Sequence, residues 1–203
     1  MKALDFVRSF ESRYGFFQGP RTVEELNTQN GITFLRGQFR REWFIDKFQL
    51  FTQGVLVEAK VPTKEIEAFL DDASVWARQK LDLKEAAITP ISRFYLSQVE
   101  VEADVALGRE LAQFDSVGKQ VGEMLRAYGQ PVLDFEAADI TLRPDAYKIP
   151  GAQPGAAFMF MRRDKQPFDS GLYFSSAPLS TSDHMLVLNT LESIFKSKKT
   201  TAS

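Results

Sequence analysis

Few side chains in this sequence can move protons, hold ions or attack a substrate. His184 is the only histidine and there is no cysteine. Cysteine nucleophiles, thiolate zinc sites, iron–sulfur clusters and sites with two imidazole ligands therefore lack their residues. Acid–base work falls to carboxylates, lysine or tyrosine, and a Ser-His-Asp relay would have to use His184. The sharpest arrangement of charges is Glu58-Ala59-Lys60 at the end of the run VLVEAK, with Asp46 on the preceding strand. Two acids so placed could hold Mg²⁺ while the lysine assists an attacking water. A solvent-facing charge pair on a hairpin would use the same residues.

Asp46, Glu58 and Lys60 resemble the acidic pair and lysine of the PD-(D/E)xK nucleases, which implies metal-dependent phosphodiester cleavage as an alternative function. The resemblance covers three positions: no proline precedes Asp46, and a second acid-x-Lys triplet stands at Asp82-Leu83-Lys84. Three further constellations carry chemistry. Glu100, Glu102 and Asp104 fall ~7 Å apart along one strand face, where they could bind a hard cation or simply be solvated. Ser180, Thr181 and Ser182 open the last helix, whose N–H groups and dipole could hold a phosphate or carboxylate with help from Arg162 and Arg163. Ser180-x-x-Asp183 also reads as an ordinary capping box there, with His184 on the helix surface. Finally, Arg36, Arg40 and Arg41 interleave with Phe39, Trp43 and Phe44, the composition of a single-strand nucleic-acid contact or of arginines stacked within a core.

These residues need elements to position them. Residues 3–10 have helical spacing, and Thr22-x-x-Glu25 resembles a capping box before a short helix closed by Asn30-Gly31, so residues 1–30 read as a helical lead-in. From Ile32 to Val61 the texture is β-branched and aromatic, with a turn at Thr52-Gln53-Gly54; Phe39–Phe51 also suits a helix. Thr63 caps a helix whose inward face is Ile66, Phe69, Leu70, Ala73, Trp76, Ala77 and Leu81. Gln98–Val105 alternates as a half-buried strand. Leu107–Tyr128 reads as one helix, burying Leu111, Phe114, Val117, Val121, Met124, Leu125 and Tyr128, with Gly118 and Gly122 marking either a backbone passing close by or glycines tolerated on an exposed side. Strands follow at 133–143, 156–163 and 172–176, with a Pro/Gly-rich loop at 144–155 expected to be mobile. The last helix turns Met185, Leu188, Leu191 and Phe195 inward.

The order α, βββα, βα, βββα predicts an α+β fold with a mainly antiparallel sheet and helices on one face; the recurrence of βββα is either a pseudo-repeat or a common strand–Pro–cap–helix junction arising twice by chance. One domain is expected over 31–195, with sub-units at 31–88 and 131–195 as the alternative and a disordered tail at 196–203. The balance of 25 basic against 27 acidic residues supplies no field for nucleic acid or anionic lipid. No apolar run approaches the ~20 residues of a membrane span, and the first ten residues break any secretory h-region with charge, which points to the cytoplasm. With catalytic groups sparse and 18 phenylalanines present, the leading expectation is a non-catalytic module without cofactor. It would bind protein, itself or another, through Phe39, Trp43, Phe44, Phe48 and Phe51.

Overall fold

The computed structural model describes residues 3–81, 92–103, 107–129, 135–145, 157–167 and 170–201. The architecture is α+β with two antiparallel sheets, and the chain divides into two compact units, Met1–Arg93 and Phe94–Ser203.

In the first unit, helix α1 (Ala3–Tyr14) precedes a meander of β1 (Ile32–Phe39), β2 (Trp43–Phe51) and β3 (Gly54–Ala59), and α2 (Thr63–Leu81) follows. The apolar stripe Val7, Phe10, Tyr14 gives α1 its buried face. Gly15 ends it in the left-handed region (φ 58°), and the Phe16 N–H returns to the Glu11 carbonyl at 3.0 Å. This closure turns the chain so that the Phe16 ring stacks on Phe10 at 5.6 Å. The helical lead-in is thus one wall of the core. Phe10 sits among the rings of Phe6, Tyr14, Phe16, Phe34, Phe48 and Trp76, all with centroids within 6.3 Å. Each such pair adds about 0.5–1.5 kcal/mol beyond area burial.

The hairpin of β1 and β2 breaks strict alternation in both strands at one level. Ile32 and Phe34 face inward before Arg36, and Gly37 and Phe39 after it; across the ladder Trp43 and Ile45 face inward, then Phe48. Arg36 has φ 55° and stands opposite Asp46 in the register, where the pairing of β2 with β3 also shifts by one residue. The matched kinks let both strands change inward parity together. This explains why the spacing of Phe39, Trp43 and Phe48 departs from strand alternation and also suits a helix.

In the second unit the sheet order is β4 (Ser97–Glu102), β7 (Leu172–Ala177), β6 (Phe158–Arg162) and β5 (Asp139–Leu142), followed by α5 (Thr181–Thr201). Its core gathers Leu107, Phe160, Tyr173, Leu188 and Phe195. Phe160 stacks on Tyr173 at 4.6 Å, and the buried Tyr173 hydroxyl accepts the Leu107 N–H at 3.0 Å. Both units contain a three-stranded antiparallel meander followed by a helix, β1-β2-β3-α2 and β5-β6-β7-α5, so the βββα order recurs.

Three expectations need correction. Leu107–Tyr128 is not one helix but α3 (Leu107–Glu110), a 3₁₀ turn (Ala112–Phe114) and α4 (Asp115–Ala127). Asp115 stands in the first turn of α4, where an acid favours the positive end of a new dipole. The predicted inner face of α4 is exposed, as described below. Residues 196–201, expected in a disordered tail, continue α5, and Lys196 pairs with Glu192 one turn back at 2.6 Å. The 144–155 loop lies largely outside the described residues, as do Asp82-Leu83-Lys84, Asp104, and 133–134 of the expected fifth strand.

Candidate functional site

The expected aromatic surface is mostly core. Phe39, Trp43 and Phe48 are buried in the first unit and Phe51 is half-buried, which leaves Phe44 as the exposed member at 69%. The inward parity of the kinked hairpin decides this, because Phe44 and Asp46 fall on the outer face. Arg40 lays its guanidinium over Phe39 at 4.6 Å from the ring centroid, the intramolecular use of the arginine–aromatic composition.

Asp46, Glu58 and Lys60 do not assemble as an ion-binding group. Glu58 pairs with Lys47 at 3.3 Å, and Asp46 occupies the bulge opposite Arg36. Among the described residues no cluster of three or more His, Cys, Asp and Glu side chains could hold a metal ion. Glu100 pairs with Arg163 at 3.0 Å. The anion constellation is also separated. The antiparallel register sets Arg162 beside Tyr173 and Met159 beside Ser176, so the arginines lie about 10 Å along β6 from the end of β7 that leads into α5. The helix start itself is capped: Ser180 Oγ accepts the Asp183 N–H at 3.2 Å, the N-cap bond, and its hydroxyl donates to the Asp183 carboxylate at 2.7 Å.

The least expected site is His184. The imidazole is fully buried, with Nδ1 3.1 Å from Ser97 Oγ and Nε2 2.8 Å from Ser175 Oγ. Ser175 donates its own proton to the Met159 carbonyl at 2.8 Å. Nε2 must therefore carry the proton given to Ser175, and Nδ1 accepts from Ser97. Burial pushes the imidazole below its ordinary value of 6.5, so the ring is held neutral. A Ser–His contact of 2.8 Å has the length of a nucleophile–base pair, yet Ser175 is as buried as the histidine and its proton is already given to a carbonyl. The chemistry this supports is a polar pin between α5 and the strands β4 and β7. Helical geometry could have located it: at about 100° per residue, the face centred on Leu188, Leu191 and Phe195 passes within about 15° of His184 and about 90° from Met185. Met185 is accordingly exposed.

A second polar pin joins α1 to α2. Asp72 accepts from Arg13 Nη2 at 2.9 Å and from the Tyr14 hydroxyl at 2.7 Å. Burial pushes the Asp72 carboxyl up, but the hydrogen bonds from Tyr14 and Arg13 and the charges of Arg13 and Arg40 outweigh it, so the net direction is downward. Tyr14 is pushed well above its usual range, chiefly by burial and then by the Asp72 bond. A concavity of ≈ 350 Å³ lined by Gln18, Pro20, Glu24, Glu25, Asn27 and Leu35 among others brings together none of the candidate site residues named from the sequence.

Beside scattered exposed side chains such as Phe94, Leu142 and Leu186, one face of α4 and its two flanking residues form an exposed apolar stripe. Phe114, Val117, Val121, Met124 and Tyr128 recur at spacings of three and four, and they are 52%, 56%, 37%, 51% and 76% exposed. Asp115, Lys119, Glu123 and Arg126 occupy the opposite side of the helix. The helix meets its own unit along the edge carrying Gly118, where a Cβ would run into the Phe135 carbonyl oxygen. Gly118 thus has the close backbone neighbour that its position suggests. The apolar stripe was legible in the sequence; its direction was not, because periodicity defines a face without naming what covers it. Among the described residues no helix is long and apolar enough to cross a membrane. Comparison of the chain with protein-family models, curated proteins and solved structures finds no match.

Proposed function

We propose that this protein is a non-catalytic cytoplasmic assembly module whose contact surface is the apolar face of α4. The observation that carries this reading is the stripe Phe114, Val117, Val121, Met124 and Tyr128, a continuous apolar face left in water on a helix that is otherwise well partitioned. Contiguous apolar area of this kind marks sites where another macromolecule docks. The polar groups with the strongest environments, His184 and Asp72, support the reading by a different route, since each is engaged in holding a helix in place.

The absence of cysteine makes the test direct, because a single introduced thiol is unique. Val121→Cys should alkylate several-fold more slowly in intact cells than in the dilute purified chain, as the face is covered by protein in the cell. A thiol on the charged side, Glu123→Cys, should alkylate at similar rates in both settings. Equal rates for Val121→Cys in cells and in dilute solution would overturn the proposal.

A further inference from the structure

We infer that Asn30-Gly31 is a site of covalent self-modification, where the Asn30 carboxamide converts to a carboxylate by way of a cyclic imide formed with the Gly31 nitrogen. The reaction asks for a free carboxamide, a free N–H on the next residue, and a next residue that leaves room for the ring. The chain holds three asparagines, Asn27, Asn30 and Asn189. Asn27 is tied down, since its Oδ1 accepts the Gln29 N–H at 2.9 Å, and the β-branched Thr28 crowds the nitrogen that would attack. Asn189 lies inside α5, where the helical ladder engages the Thr190 N–H and Thr190 is again β-branched. Asn30 meets every requirement. It is exposed, and among the described residues neither its side chain nor the Gly31 N–H has a hydrogen-bond partner.

The fold itself leaves that nitrogen free. Leu35 exchanges both backbone hydrogen bonds with Gln18, at 2.8 and 3.2 Å, so residues 35, 33 and 31 turn their N–H groups away from β2. That is the side of the concavity of ≈ 350 Å³ that Asn30 and Gly31 help to line, where water has access. Position 31 must also be glycine: φ is 83°, and a Cβ would lie 2.5 Å from the Phe51 ring. The turn into β1 thus supplies the one kind of neighbour that does not hinder attack. The Gly31 nitrogen bonds to Asn30 Cγ, the Cγ–Nδ2 bond breaks, and Nδ2 leaves as ammonia with the proton given up by Gly31. Water then opens the imide. At Cγ it restores the main chain and leaves aspartate; at the Asn30 main-chain carbonyl it leaves isoaspartate, in which the main chain runs through Cβ. Both products add a carboxylate to a concavity that already carries Glu24 and Glu25. This chemistry is independent of the contact surface on α4.

Peptide mapping by mass spectrometry, on the full-length chain sampled during incubation at about 37 °C and neutral pH, tests this. The expected result is a steady gain of about 1 Da on the peptide carrying Asn30, resolved into two chromatographic forms. One form should co-elute with the same peptide from Asn30→Asp, and the other should take up a methyl group from isoaspartyl methyltransferase. Asn27 and Asn189 should convert at least about tenfold more slowly. Each unit of pH above neutral should speed the conversion about tenfold, since the attacking species is the deprotonated nitrogen. Asn30→Gln should abolish the gain, because the larger ring closes far more slowly. The chain unfolded in guanidinium chloride is the reference, and the folded rate should fall within about tenfold of it. Conversion of Asn30 in the unfolded chain but not in the folded one overturns the inference, as does a folded chain in which Asn27 or Asn189 converts as fast as Asn30.

Discussion

Acidification from pH 7.5 to 5.0 should weaken the second unit through His184 alone. Burial lowers the folded-state pKa of this group below 6.5, so above that value the imidazole is neutral in both folded and unfolded chains and the pin is at full strength. As pH falls through 6.5 the unfolded chain takes up a proton that the folded chain refuses, and stability is lost until the folded value is reached. The slope is at most about 1.4 kcal/mol per pH unit, so the loss by pH 5.0 is bounded at about 2 kcal/mol. The groups described around the ring, Ser97, Ser175 and the edge-on Phe158 at 6.1 Å, carry no negative charge to rescue an imidazolium. Because His184 is the only histidine, its Cε1–H gives a single NMR resonance, whose midpoint should fall below 6.5. Nitrogen shifts should report the Nε2–H tautomer. Urea unfolding followed by far-UV circular dichroism should show the pH-dependent loss in the wild type. His184→Leu should lack that slope while carrying a pH-independent cost of about 1–3 kcal/mol for the two serine hydroxyls left behind. A native-state midpoint at or above 6.5, or unfolding that is flat between pH 7.5 and 5.0, would refute the reasoning.

Other expectations separate the two units. Asp72, whose carboxyl is held below its ordinary 3.8, contributes stability that is present above that value and lost as pH falls through the lower folded value. Tryptophan fluorescence, which reports only on the first unit through Trp43 and Trp76, should show this acid limb, and Asp72→Asn should reduce it. Gly118→Ala should destabilise the second unit by about 1–3 kcal/mol, because the added Cβ meets the Phe135 carbonyl; the opposite sign is normal for this substitution within a helix, so a gain in urea midpoint would count against the close approach. Arg41→Gly should stabilise the first unit by about 0.5–1 kcal/mol, since Arg41 holds φ 62° at a position that favours glycine. A lower fluorescence midpoint would contradict that. Ser180→Ala should cost about 1 kcal/mol through loss of the N-cap hydroxyl of α5, checked by the urea midpoint of the second unit.

Elements with one buried face were legible in the sequence because periodicity and capping agree. Thr63 opens α2 and Phe69 with Ala73 anchors it, while Gln98, Glu100 and Glu102 turn outward from β4 as alternation requires. The rest failed where local pattern and tertiary partner part company. The Phe39–Phe51 aromatics looked superficial because their partners, the α1 rings of Phe10 and Tyr14, lie far away in sequence. His184 looked like a surface residue because its two hydroxyl partners come from Ser97, distant along the chain, and from Ser175 on the strand before α5. The α4 stripe looked like core because an apolar face reads identically whether it is covered by the same chain or by another molecule.

The matched kink at Arg36 and Asp46 bears on how the β1–β2 hairpin is found as the chain folds. In an ordinary alternating hairpin a slip of two residues preserves every inward side chain and creates a competing alignment that must be undone. Here the parity of the inward face changes once in each strand, after Phe34 in β1 and between Ile45 and Phe48 in β2. A slipped pairing would set inward residues of one strand beside outward residues of the other between the two displaced kinks. A two-residue slip is therefore less favourable here than in a regular ladder of this length, because it mismatches the residues between the kinks.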